Sequence, residues 1–323
     1  MEFTQHRSVS RFVSIWLGGL GLVATAFASP AAAVSCGDVL GPGGEFQLTE
    51  DLGPCDDATG PAVTVDSAFL DLNGFTITCS DTNPANAILP VGILVVGSKA
   101  LVGNGTVVGC QDGVEVAGEG RGRVGAMEVS GNSRFGVLVN SDKNLVGFMD
   151  SIANGVNGIQ VDGDRNVLFN IVADANGEDG IEVDGGKNKL FVNACTNNDD
   201  GFDIDGTGNT LVSNLAGNNH VGFAVGGADN KLVKNSALAN TTEGFELFLS
   251  SGSLKFVKNS ATANGASGVL VSAPAEVVIK AVKTTATDNH IDSGFDIEEL
   301  TPGCGAHLWK KSTFGTASDA CVQ

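Results

Sequence analysis

Eight carboxylates crowd one short stretch of this chain: Asp162, Asp179, Glu182, Asp184, Asp199, Asp200, Asp203 and Asp205. Asp179, Glu182 and Asp184 recur 21 residues later as Asp200, Asp203 and Asp205. Three chemistries suit such a set. Glu182, Asp184, Asp203 and Asp205 could converge on Ca²⁺, which takes several oxygen ligands at about 2.3–2.6 Å. Two carboxyls on neighbouring strands could work as the acid and the base or nucleophile of glycoside hydrolysis. The simplest reading is a solvated acidic face, since runs of charge are usually surface.

The elements that must position these acids are written in the sequence as repeats. From Gly136 to Glu243 the chain reads as five units of 22, 22, 21, 21 and 22 residues. Each opens Gly-apolar-x-apolar, a period-two strand. An Asn follows eight residues after the Gly: Asn144, Asn166, Asn188, Asn209 and Asn230. A Leu/Val strand then ends near a second Asn: Asn170, Asn193, Asn214 and Asn235. A small-residue strand and a third Asn close the unit: Asn154, Asn176, Asn198, Asn219 and Asn240.

A unit of this size cannot bury an apolar face alone, so the units must stack. Three short strands and three corners per unit give a parallel β-helix, with rungs about 4.8 Å apart. Gly and Asn at the corners suit left-handed backbone angles, and stacked Asn side chains can form ladders. Val137, Ile159, Ile181, Phe202, Phe223 and Phe245 should form one inward column. Val139, Val161, Val183, Ile204, Val225 and Leu247 should form another. Anchor glycines place coils at Gly92, Gly113, Gly136, Gly158, Gly180, Gly201, Gly222, Gly244, Gly268 and Gly294. On that frame Gln160, Glu182, Asp203, Glu246 and Asp296 fall in the first outward column, and Asp162, Asp184, Asp205, Phe248 and Glu298 in the second.

The unit G-[IVF]-x-[VIL]-x-G-x-x-N-x-L-x-x-N-x-A-x-x-N resembles the repeat of the pectin-lyase-like superfamily. It is closer still to bacterial secreted right-handed β-helix repeat proteins that carry carbohydrate-binding and sugar-hydrolase domains. The resemblance covers residues 63–300. It implies an all-β, single-chain right-handed solenoid. A 34–62 segment opening Cys-Gly and a 301–323 segment with Trp309, Phe314 and Cys321 resemble the end caps of those proteins. About twelve rungs would make a rod about 55–60 Å long.

Residues 1–33 read as a secretory signal peptide. His6, Arg7 and Arg11 precede an apolar core from Phe12 to Phe27 and a small-residue site at Ala31-Ala32-Ala33. A lipoprotein would use Cys36, but Ala33-Val34-Ser35 lacks the usual Leu, which favours free release. No later run is apolar enough for a transmembrane anchor. Net charge is −19, and loss of the leader makes it −20. Such a surface repels nucleic acid, anionic lipid and anionic polysaccharide at long range.

Seven cysteines suit an oxidising destination. Cys36 and Cys55 flank the first mature segment, and Cys304 and Cys321 the last. Asn73–Cys79 aligns with Asn104–Cys110 position for position, which places Cys79 and Cys110 one rung apart, within disulfide reach. Cys195 is left as a buried thiol. Cys304, His307 and Cys321 could offer three zinc ligands, but a fourth is absent and a cap disulfide suits an exported protein better. His220 and His290 both follow a third-corner Asn, three coils apart, too far to share a metal. Asn104-Gly-Thr106 and Asn240-Thr-Thr242 match the glycosylation sequon, which matters in a eukaryotic host.

Enzyme motifs of the superfamily are missing. The N-T-D, G-H-G and R-I-K phrases of polygalacturonases do not occur, nor does D-P-H, and the chain has no Tyr. The two outward columns carry no Lys or Arg to serve as a lyase base. The sequence therefore favours a secreted, non-catalytic scaffold or surface protein that engages polysaccharide or cell-envelope glycan. The alternative is a polysaccharide-active lyase, hydrolase or epimerase working from the acidic face, with Ca²⁺ as its cofactor.

Overall fold

Each Gly-apolar-x-apolar phrase forms a strand of three to five residues, too short to stand alone. Pairing with the coils on either side stabilises it. In the computed structural model, which describes residues 33–56, 60–80, 89–289, 294–301, 305–318 and 322, these strands build one twelve-stranded parallel sheet. It runs in chain order from Asp38–Leu40 to Ile297–Glu299, and we call it the front sheet. The remaining strands close the back of each coil and also pair in parallel, coil upon coil. The protein is an all-β parallel solenoid. Among the described residues no helix is long and apolar enough to cross a membrane.

The inward columns fill the bore. Val137, Ile159, Ile181, Phe202, Phe223 and Phe245 are fully buried and paired in register. Phe202, Phe223 and Phe245 stack face to face with centroids 4.7 Å apart, the rung spacing itself. Phe256 meets the last of them edge-on at 5.0 Å.

Three Asn ladders bind the corners. In the longest, each Asn from Asn132 through Asn264 donates its backbone N–H and its Nδ2 to Oδ1 of the Asn one coil on. The last, Asn289, donates both to Asp296 Oδ1. Left-handed angles fall, as expected, on many glycines and on Asn73, Asn104, Asn170, Asn197 and Asn218, but on none of the ladder Asn. Among non-glycine residues they belong mostly to the residue before a ladder Asn: Lys143, Arg165, Lys187, Val192, Ala153 and Ala175 among others. The ladder Asn are buried and are selected for hydrogen bonding. The anchor glycines answer a different need. A Cβ on Gly201 would lie 2.6 Å from the carbonyl oxygen of Gly222, so the coils could not close to rung distance.

Three register assignments change. Asn170 is not in the second ladder; it takes the left-handed position matched by Val192, and Ile171 donates its N–H to Asn193 Oδ1. Cys79 and Cys110 are bonded, with Cα atoms 4.8 Å apart, but their strands pair Thr76 with Thr106, one residue away from the expected alignment. In the last coil Ile297, not Phe295, continues the inward column, and Glu298 pairs with Leu270. Asp296 is therefore not outward. It takes the place of the anchor glycine, is buried, and leaves Glu298 in the first outward column. The interval from Gly268 is 28 residues to this position, two more than to Gly294.

Cys36 is bonded to Cys55, and Cys195 is free and buried. Residues 1–32, nearly all of the expected signal peptide, and Cys304, Cys321 and His290 lie outside the described residues.

Candidate functional site

The acids gather where three outward columns cross three rungs of the front sheet. The first column stacks Asn157, Asp179 and Asp200, just before the anchor glycines. Asp179 N–H donates to Asn157 Oδ1 at 2.8 Å, and Asp200 N–H to Asp179 Oδ1 at 3.1 Å. The second column pairs Gln160 with Glu182 and Glu182 with Asp203. The third holds Asp162, Asp184 and Asp205, each donating its backbone N–H to the inward Val of the coil before.

Two amides organise the lower edge. Asn157 Nδ2 donates to Gln160 Oε1 at 2.7 Å and also to Glu182 Oε2. Gln160 is only 6% exposed although it faces outward, and its Nε2 donates to Asp162 at 2.9 Å and Asp184 at 3.1 Å. The upper rung has no such donors. Asp203 Oδ1 is buried without a hydrogen-bond partner.

Partial burial in a field of like charge disfavours ionisation here. Burial first, then the charge of Asp200, pushes Asp179 up to about 7. Burial and then Asp203 push Asp200 up to about 7. Burial and then Asp205 do the same to Asp203, also about 7. Glu182 and Asp184 are raised as well, by burial ahead of their acidic neighbours.

Two features beside the acids carry a weaker signal in the sequence. At the next rung the columns drop to Ala224 and Gly226, and one rung further the ring of Phe248 leans back over the gap. A Cβ on Gly226 would lie 2.5 Å from Phe248 Cε2 and 2.6 Å from Asp205 Oδ1. Phe248 is 39% exposed. The ring and the carboxylate thus close over Gly226, leave no room for a side chain there, and set a partly exposed aromatic ring beside Asp205. The second feature is His220, which stacks over Asp199 because each follows a ladder Asn by one residue. Among the described residues, Asp199, Asp200 and His220 form a group of metal-ligand atoms lying within 4.8 Å of one another. The four residues expected to hold Ca²⁺ stand as two side-by-side pairs on adjacent rungs, Glu182 with Asp184 and Asp203 with Asp205.

Other sequence candidates resolve differently. His307 is buried against Glu299, with Nδ1 to Oε2 2.8 Å, so its ring serves the last coil. Asn240 is buried in the long ladder, and Asn104 Nδ2 donates to Asp71 Oδ1.

A family model described as a right handed beta helix region matches residues 157–319. The chain belongs to this right-handed β-helix family. The matched stretch contains the whole acidic face. Among curated proteins none matches the sequence. Solved structures do resemble the β-helix in fold. The periplasmic alginate epimerase AlgG superposes with TM-score 0.63 at 16% identity, covering 87% of this chain and 76% of that one. A point mutant of AlgG gives TM-score 0.67 at 15% identity over the same shares. Pectate lyase Pel9A gives TM-score 0.44 at 16% identity, covering 80% and 70%. At these identities the likeness is one of fold.

Proposed function

We propose that this β-helix is an exported glycan-binding protein whose acidic front face receives a polysaccharide between Asn157 and Phe248. The observation that carries the reading is the exposed ring of Phe248, packed over Gly226 beside the carboxylate of Asp205. A sugar ring offers C–H faces that pack on an aromatic ring and hydroxyls that donate to carboxylates. Rows of carboxylates and amides at about 4.8 Å intervals give the same hydroxyl contacts rung after rung. The fold neighbour AlgG is named as an alginate epimerase, which supports a glycan over other ligands. The charge of this face favours neutral or amino sugars over uronates. The two disulfides fit export to an oxidising compartment.

On a glycan array, mature protein should retain a neutral or amino-sugar polymer. Phe248→Ala should weaken that binding by about tenfold, in line with about 1–1.5 kcal/mol for an aromatic contact. Equal binding by wild type and variant would remove Phe248 from the reading.

A second reading, glycoside hydrolysis, is favoured by Asp203. A carboxyl held at about 7 is partly protonated at neutral pH and can act as a general acid. Asp205, two residues on and just past the end of that strand, would be the partner carboxyl. Reducing ends released from the bound polymer, and lost at least a hundredfold in Asp203→Asn, would mark an enzyme. Retention without release would mark a binding protein.

A further inference from the structure

We propose that Asp199, Asp200 and His220 form a binding site for a divalent transition-metal ion of the zinc class, at the corner beside the front sheet. The ligand atoms of these three residues lie within 4.8 Å of one another. The set mixes two carboxylates with an imidazole. Calcium and magnesium take oxygen ligands, whereas zinc-class ions take His nitrogen and carboxylate oxygen together.

The spacing between two of these atoms fits the same ion. His220 Nδ1 and Asp199 Oδ1 are 3.4 Å apart. Two ligands held at about 2.0–2.1 Å with a tetrahedral angle between them are separated by about 3.3–3.4 Å. As a bare ion pair the contact does little. Both side chains are more than half exposed, and such pairs contribute almost nothing.

The backbone under the site is fixed before any ion arrives. Asn198 donates through N and Nδ2 to Asn219 Oδ1, at 3.0 and 3.1 Å, one residue before the two stacked ligands. His220 N–H donates to Asp199 O at 2.7 Å, and Asp199 N–H to Glu178 O at 2.7 Å. Binding therefore orders two or three side chains and leaves the main chain as it is. The negative field around the site comes from Glu178, Asp179, Asp203, Glu243 and Glu246. Asp200 closes the set from the sheet side, so three protein ligands leave a position open to water or a hydroxyl. Asp200 also belongs to the acidic front face, so the site adjoins the proposed glycan surface, but the zinc proposal rests on its own ligand set and does not depend on the glycan reading.

The test uses mature protein with both disulfides intact, titrated calorimetrically with zinc chloride and, separately, with calcium chloride. Zinc should bind one ion per chain and shift the imidazole nitrogen resonances of His220, with calcium giving no such shift. His220→Ala and Asp199→Asn should each weaken zinc by more than the roughly 10- to 100-fold seen on changing outer-shell partners. Glu276→Gln, an exposed acid several coils away, should leave zinc affinity unchanged. Zinc binding of equal strength in His220→Ala would overturn the proposal. So would a zinc titration that leaves the His220 resonances in place.

Discussion

Phe223→Ala should lower the stability of the protein by about 3–5 kcal/mol, the usual cost of truncating a buried Phe. The ring is fully buried and stacked between Phe202 and Phe245 at 4.7 Å on either side. The backbone around it is tied into ladders above and below, so the coil cannot collapse to fill the space. The vacancy stays open, and the transfer and cavity costs add. Urea denaturation reads the change. A loss under about 0.5 kcal/mol is the mark of a surface position and would place the ring outside the bore.

The second large effect concerns pH. Asp179, Asp200 and Asp203 sit at about 7 in the folded protein against an ordinary value of 3.8. Between those limits the native state holds protons that the unfolded chain has released. Stability therefore falls as pH rises from about 4 to about 7, and levels off above that window. This is the reverse of the usual acid lability of salt-bridged carboxylates. Melting temperature should be several degrees higher at pH 5 than at pH 8. The triple change Asp179→Asn, Asp200→Asn, Asp203→Asn should flatten the profile and raise the pH 8 value. Asn keeps the Oδ1 that accepts from Asp200 N–H, so the backbone contact survives. A wild-type profile that is flat from pH 5 to 8 would show these carboxyls to be ordinarily solvated.

Much of this molecule is legible in its sequence because a solenoid repeats its own constraints. Three Phe at one position of three successive units can only be a stack or three mistakes, and the aliphatic Ile204, Val225 and Leu247 at the next inward position remove the second option. The acids were legible for the same reason, since Glu182 and Asp203 occupy one position of one repeat. Legibility fails where a coil changes length. Asp296 was read two positions out because the interval after Gly268 lengthens, and a frame carried forward by counting has no means of absorbing two extra residues. Asn170 fails for a related reason. An Asn at a corner has two uses, ladder and left-handed turn, and the sequence does not say which of two adjacent positions it fills. His220 was compared with His290, a residue of its own type, when its neighbour in space is Asp199, related by position after the ladder. The lean of Phe248 over Gly226 depends on a missing Cβ in the next coil, which no single repeat reveals.

The long Asn ladder has a direction, and its last member sets a rule about length. Every Asn from Asn132 to Asn289 both accepts from the coil behind and donates to the coil ahead, so any such coil can follow any other. The side chain of Asp296 accepts only. Its Oδ1 takes both donors of Asn289, and its Oδ2 takes the N–H groups of Gly315 and Thr316. Burial would raise its pKa, but these donors outweigh that and hold it below the ordinary range. The carboxylate thus works as a full stop in a grammar of interchangeable words. Whole coils can be gained or lost between Asn132 and Asn289 without disturbing either end, and each one added lengthens the outward face by a rung. The reach of the acidic surface is in this sense a countable trait, adjustable by duplication, while the coil that bears Asp296 can occupy only the final place.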